Sequence, residues 1–232
     1  MRIIEAPTPF KDPGSSTSFL ANPAPPSSAM PTSGVKKSFK KVQFESREQA
    51  ILEATNRLLS EKGYEQMAMD DIATEVGIAK GSLYRHFQSK EDLAAAVMLQ
   101  LLKQTHQVLQ SLSERPAINQ LEALLEWILK ARLKGQVPHL PSASIQLRAA
   151  LMGHKDYMNA LMALSEDLGQ VIVSAKSAGG INAQLADEFV LYHFYSRACD
   201  PTLEYLKSGG SMSDELIVNS MVRVTFDGLN AP

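Results

Sequence analysis

Lys80, Ser82, Tyr84, Arg85 and His86 place five hydrogen-bonding side chains within seven residues, with Gly81 among them and Leu83 and Phe87 as apolar neighbours. At helical spacing this is a short helix with a polar face and an apolar face. The chemistry open to such a face is recognition. A guanidinium can bond O6 and N7 of guanine together, while hydroxyl and ammonium groups reach phosphate oxygens. A short helix anchored on one side can lie in the major groove and touch base edges with its N-terminal residues.

Nothing comparable points to catalysis. Glu166-Asp167 and Asp187-Glu188 are adjacent pairs on expected helices, so their members point in different directions, and the five histidines are scattered. There is no Gly-rich phosphate loop, no nucleophile elbow and no Cys or His pairing at zinc spacing. The expectation is a protein that is not an enzyme and carries neither cofactor nor metal.

The elements that position the polar face are legible around it. Ser46 with Gln49 has the form of a capping box. Ile51, Ala54, Leu58 and Leu59 follow as one apolar stripe, and Gly63 can end that helix in the left-handed conformation. Met69, Ile72, Ala73 and Val76 give the inward side of a second helix over about 69–76. Gly77 makes the sharp turn of a helix-turn-helix, Ile78 plugs it, and Leu83, Tyr84 and Phe87 pin the third helix. This leaves Lys80, Gly81, Ser82, Arg85 and His86 with outward positions. Ser89 with Asp92 starts the next helix by the same capping pattern.

At this point the sequence resembles the TetR family of bacterial transcriptional regulators. The resemblance rests on Gly63-Tyr64, Asp71-Ile72-Ala73, Val76-Gly77-Ile78, the run Lys80 to Phe87, and Ser89-Lys90-Glu91-Asp92-Leu93, within Ser46 to Val97. It implies that Lys80, Gly81, Ser82, Tyr84, Arg85 and His86 contact bases and phosphates, and that Lys90 contacts a phosphate. Arg85 is the candidate guanine reader, and Tyr84 and Lys90 are candidates for backbone positioning. A second reading has Tyr84 and His86 pack the small domain instead. The sequence departs from the family where Ala68 and Ala79 replace the usual Ser or Thr before the short helices, and where Asp70 is acidic.

Residues 45–92 hold six Lys and Arg against ten Asp and Glu, a net of −4. Just upstream, Lys36, Lys37, Lys40 and Lys41 form a basic block that could follow the minor groove and add salt-dependent affinity, or could be a solvated tail. The sequence reads as three parts: a disordered Pro/Ser-rich segment over 1–41 ending in this basic arm, a helix-turn-helix domain over 42–92, and a helical domain over 93–232. Residues 1–34 hold seven of the twelve prolines, a composition that cannot bury enough surface to order itself. No segment has the pattern of a signal peptide or the length to span a bilayer. The lone Cys199 fits a reducing compartment. A cytoplasmic protein is expected.

The second domain reads as all-α, with helices over about 90–113, 117–134, 142–151, 155–177, 184–198 and 213–228. The last two are apolar over more than one face, which suggests packing on two sides. Phe189, Tyr195, Ile217, Val218, Met221, Val222 and Thr225 are the expected homodimer interface, as the resemblance also implies; a single large core is the alternative. A two-fold pair of recognition helices would read a palindromic operator. The resemblance also implies an effector pocket among the central helices. Met98, Leu102, Trp127, Leu147, Leu151, Met158, Met162 and Phe194 are its apolar candidates, with His106, Tyr192 and His193 as polar handles; core packing is the other reading of these residues. The expected function is a transcriptional regulator, a repressor released by a small molecule. The alternatives are a DNA-bound interaction protein with no effector and a redox sensor built on Cys199.

Overall fold

The computed structural model describes residues 32–137 and 144–229, with side chains from Ser38 onward. The chain divides into two units, Met1–Lys40 and Lys41–Pro232. Of the first, the described part is the opening of the first helix; the Pro-rich segment lies outside the described residues. All regular structure among the described residues is helical.

The first helix, α1 (Thr32–Gln66), contains Gly63 at φ +74°, ψ 169°. Only glycine holds this backbone without a Cβ clash, so the expected stop at Gly63 appears as a sharp kink. The start differs from expectation. α1 passes through Ser46 without a break, so Ser46 caps nothing, and the lysines at 36, 37, 40 and 41 fall on a helix rather than on a disordered arm.

α2 (Met69–Val76) and α3 (Lys80–His86) follow, with Ala68 and Ala79 at their N-caps and no side-chain cap bond at either. Each absent cap costs about 1 kcal/mol of local stability, so these helices depend on burial. Ile51, Ala54, Ile72 and Leu83 are fully buried with Leu93 and Ala94 from α4 (Lys90–Ser111). Burial of each large side chain is worth about 1.5–3 kcal/mol, which outweighs the missing caps. Ser89 does cap α4, its hydroxyl accepting from the Asp92 amide at 3.0 Å.

α4 has 22 residues and spans roughly 33 Å. Its first half is buried in the head core through Leu93, Val97 and Met98, and Leu109 near its far end joins the body core. The body continues through α5 (Ala117–Leu133), α6 (Ile145–Gly153), α7 (Lys155–Ser177), α8 (Asp187–Ala198), α9 (Thr202–Gly209) and α10 (Asp214–Asp227). Leu124, Leu125, Leu129, Leu168, Ile172 and Ile217 are the floor of its core, on α5, α7 and α10. Leu147 and Leu151 of α6 and Tyr157 of α7 pack instead into the head cluster, so head and body share a seam.

The short helix α9 replaces the interruption expected between Pro201 and Gly210. Proline suits a helix start because its missing N–H would be unpaired there anyway, and Gly210 at φ +67° closes the helix. Arg132 fixes the corner: its guanidinium, nearly fully buried, donates to the Ala198 carbonyl at 2.8 Å, the Asp200 carbonyl at 3.1 Å and the Glu204 carboxylate at 2.5 Å.

Candidate nucleic-acid interface

The turn between α2 and α3 is built on Gly77, at φ +71° and ψ 35°. Its N–H donates to the Thr74 carbonyl at 3.1 Å, and the Ile78 N–H donates to the Ala73 carbonyl at 3.0 Å. These bonds close the end of α2 and turn the chain into α3. Leu83 is fully buried and Phe87 nearly so, which fixes the inner face of α3. On the other side Lys80, Gly81, Tyr84 and Arg85 are exposed and Ser82 is half-buried. A Cβ placed on Gly81 would meet nothing within 4 Å, so the surface there is open.

The three acids of α2 are each matched in space by a basic side chain. Arg57 pairs with Glu75 at 2.8 Å, Lys62 with Asp71 at 3.2 Å, and Lys80 with Asp70 at 2.7 Å. Three basic groups therefore neutralise the acids of α2 and tie it to its neighbours. The bond to Asp70 holds the Lys80 ammonium above its usual pKa, so Lys80 stays charged but shared. Arg85 makes one long contact, from Nη2 to Ser82 Oγ at 3.4 Å, and no ion pair among the described residues. Asp70, which in sequence only subtracts charge, here fixes where Lys80 points.

His86 corrects the expected facing. Its side chain is 3% exposed, stacked on Phe44 of α1 with ring centroids 4.0 Å apart and an interplanar angle of 23°. Its Nδ1 is buried without a hydrogen-bond partner, 3.8 Å from Glu48 Oε2. His86 thus turns inward and packs the C-terminal end of α3 onto α1. Tyr84 is corrected the other way: at 42% exposed it does not pin α3.

Lys90 is half-engaged within the head. Its ammonium donates to the Glu65 carbonyl at 3.2 Å and sits 4.3 Å from the centroid of the Tyr64 ring. Tyr64 in turn donates to Glu91 at 2.9 Å, and burial with this bond to Glu91 pushes the phenol pKa strongly upward. Lys90 therefore joins the kink after Gly63 to the start of α4.

The body residues singled out in the sequence do not gather into one cavity. Met98, Leu147, Leu151 and Met158 belong to the head core or pack against it, and Phe194 is buried in the body core, with Leu102 bordering both. Met162 and Tyr192 face solvent, at 66% and 63% exposed. His106 pairs with Asp167 at 2.5 Å across α4 and α7. His193 stacks loosely on Phe189, and burial lowers its imidazole pKa. Trp127 alone of the group lines a sizeable cleft. Along the expected dimer surface, Ile217, Val218 and Thr225 are buried in their own chain's core, and Met221 and Val222 lean on it. Tyr195 is half-buried, its hydroxyl bonded to Ser165 at 2.8 Å. Phe189 is exposed, as are Leu216 and Val224 of α10. Burial pushes the Cys199 thiol pKa up, which disfavours the reactive thiolate.

Comparison with known proteins places this head. Residues 51–97 match the family described as bacterial regulatory proteins, tetR family. The chain is 32% identical over 79 residues to the uncharacterised HTH-type transcriptional regulator YvaF of Bacillus subtilis. That match takes in 34% of this chain and 41% of YvaF, so it spans well under half of the relative's length. A TetR-family regulator from Agrobacterium tumefaciens superposes with TM-score 0.64 at 20% identity, covering 81% of this chain and 99% of that one. The regulator FadR of Bacillus subtilis, solved with stearoyl-CoA, superposes with TM-score 0.60 at 17% identity over 78% of this chain and 99% of its own. At these identities the superpositions establish the shared fold: a helix-turn-helix head on a helical body.

Proposed function

We propose that this chain, whose residues 51–97 match the tetR family of bacterial regulatory proteins, is a DNA-binding transcriptional regulator acting as a homodimer on a palindromic operator. The observation that carries the reading is the division of α3. Leu83 and Phe87 are buried beneath it, while Lys80, Gly81, Ser82, Tyr84 and Arg85 form an outer face with no large aliphatic side chain. Arg85 reads a guanine, Tyr84 and Lys80 hold phosphates, His86 keeps α3 packed on α1, and Lys90 ties the start of α4 to the end of α1.

Dimerisation is supported by what the body leaves uncovered. α8 exposes Phe189 and Tyr192, and α10 exposes Leu216 and Val224. Large apolar side chains left on a surface mark partner contacts when they cluster. Two heads related by a two-fold axis then meet half-sites about 34–36 Å apart. Control by a small molecule, with repression in its absence, completes the proposal; the shared fold with effector-binding regulators supports it.

Selection from a random duplex library with the purified full chain tests the function. Enrichment of a palindrome is the expected result. A folded protein that enriches no sequence would overturn it and favour a TetR-like interaction protein.

A further inference from the structure

We infer that the cleft between α1, α4 and α5 is a binding site for a small primary amine with a flat apolar body. The site deepens the effector proposal above and rests on it. It lies away from the body positions that the sequence suggested, sharing only Trp127 with them. The cleft encloses about 400 Å³, within the range of small-molecule sites.

Its walls come from three places that the fold brings together. α1 contributes Gln49, Glu53 and Asn56, α4 contributes Gln100 and Gln104, and Trp127 comes from α5. Buried Val97, Ala131 and Val137 line it as well. Gln100 donates to Gln49 at 3.2 Å, and Gln49 donates to Glu53 at 3.0 Å, so a chain of amides runs across the cleft to one carboxylate. Among the described residues, Glu53 is the one ionised side chain that lines the cleft, with neither Lys nor Arg beside it. An anionic ligand has no counter-charge there, whereas an ammonium finds one.

Asn56 ties the α1 wall of the cleft to the turn after α5. The Asn56 amide donates to the carbonyls of Gly135 and Gln136 at 3.3 and 3.1 Å, yet its Oδ1 is buried without a partner. A buried acceptor left unpaired costs about as much as a lost hydrogen bond. Trp127 offers the flat apolar surface, and an aromatic face also attracts a cation. The walls belong to the first helix of the head, to the helix that joins head to body, and to the body. A ligand that fits one spacing of these elements better than another biases the head.

Trp127 is the single tryptophan of the chain, so its emission reports this cleft alone. The full-length protein, without DNA, is titrated with phenethylamine and with phenylacetate, which differ in charge at nearly equal size. Saturable change of Trp127 emission with the amine is expected, with phenylacetate about ten-fold weaker or more, as for loss of a charge-assisted bond. Glu53→Gln, at an exposed position, should remove that preference while the circular dichroism spectrum is unchanged. Calorimetry on the same samples gives a second reading of affinity. No saturable response to the amine, or an undiminished amine preference in Glu53→Gln, overturns the site. Since no DNA is present, failure here leaves the operator-binding reading to its own test.

Discussion

The head and the body leave different chemistry on their surfaces. Around α3 the exposed side chains are Lys80, Tyr84 and Arg85, over a core closed by Leu83 and Phe87. On α8 and α10 the exposed side chains include Phe189, Tyr192, Leu216 and Val224, over a core closed by Val190, Phe194, Ile217 and Val218. A surface of hydrogen-bond donors is suited to phosphates and base edges. A surface of large apolar groups is suited to another protein surface. The two regions share one folding logic, an apolar stripe turned inward, and differ in what stands opposite it. In the proposed function, that opposite face is where each meets its partner.

The comparison breaks first if the α3 face does not depend on the core beneath it. Leu83→Ala should cost about 2–5 kcal/mol in urea unfolding and abolish operator binding with it. Phe189→Glu with Val224→Glu should leave the unfolding midpoint of the monomer nearly unchanged and weaken self-association by about 2 kcal/mol or more, read by sedimentation equilibrium. An unaltered dimer would remove these side chains from the interface. His86→Phe sharpens the inner boundary of the DNA face. It removes the buried unpaired Nδ1, so stability should hold or rise by about 1 kcal/mol, with operator affinity changed by less than about three-fold.

The smallest effect concerns acid stability. The Glu91 carboxyl is held below its ordinary value of 4.5, first by its own backbone N–H and then by the Tyr64 hydroxyl. A lowered folded-state pKa means that the stabilisation is complete above that ordinary value and is lost as pH falls through the lowered one. Tyr64→Phe should flatten the acid limb of the stability profile, by less than about 1 kcal/mol because Glu91 is exposed. An unchanged limb would mean that the Tyr64 bond does not hold the carboxylate.

How much of this was readable in the sequence varies with what sets each feature. The helices at 69–76, 117–133 and 155–177 follow from apolar period and breakers, and Gly63 and Gly77 do what their backbone freedom permits. The sequence leaves the facing of His86 open between DNA contact and packing, because it is set by Phe44 of α1, which lies just upstream of the matched stretch. Lys90 reads as a phosphate contact until the Tyr64 ring and the Glu65 carbonyl appear beside it. On α10 two apolar stripes lie side by side, and period alone does not say which one the body claims. The core took Ile217, Val218 and Thr225 and left Leu216 and Val224 outside. The start of α1 was misplaced because Ser46 has the form of a cap, and helix continuation upstream overrides a local cap. The cleft residues Gln49, Glu53 and Asn56, and Gln100 and Gln104, do sit at helical spacing on two helices; neutral amides carry no sequence signal that separates a binding wall from a solvated face.

The measurement that bears most directly on the central claim is the binding of wild type and Arg85→Ala to the selected operator and to duplexes with each guanine replaced in turn. If α3 reads sequence through its outer face, wild type loses about 1–3 kcal/mol at one guanine per half-site. Arg85→Ala then binds the operator more weakly by a similar amount, ignores that replacement, and unfolds at the same urea concentration. An Arg85→Ala protein with the full pattern of base preferences would contradict the claim and place sequence reading elsewhere in the molecule.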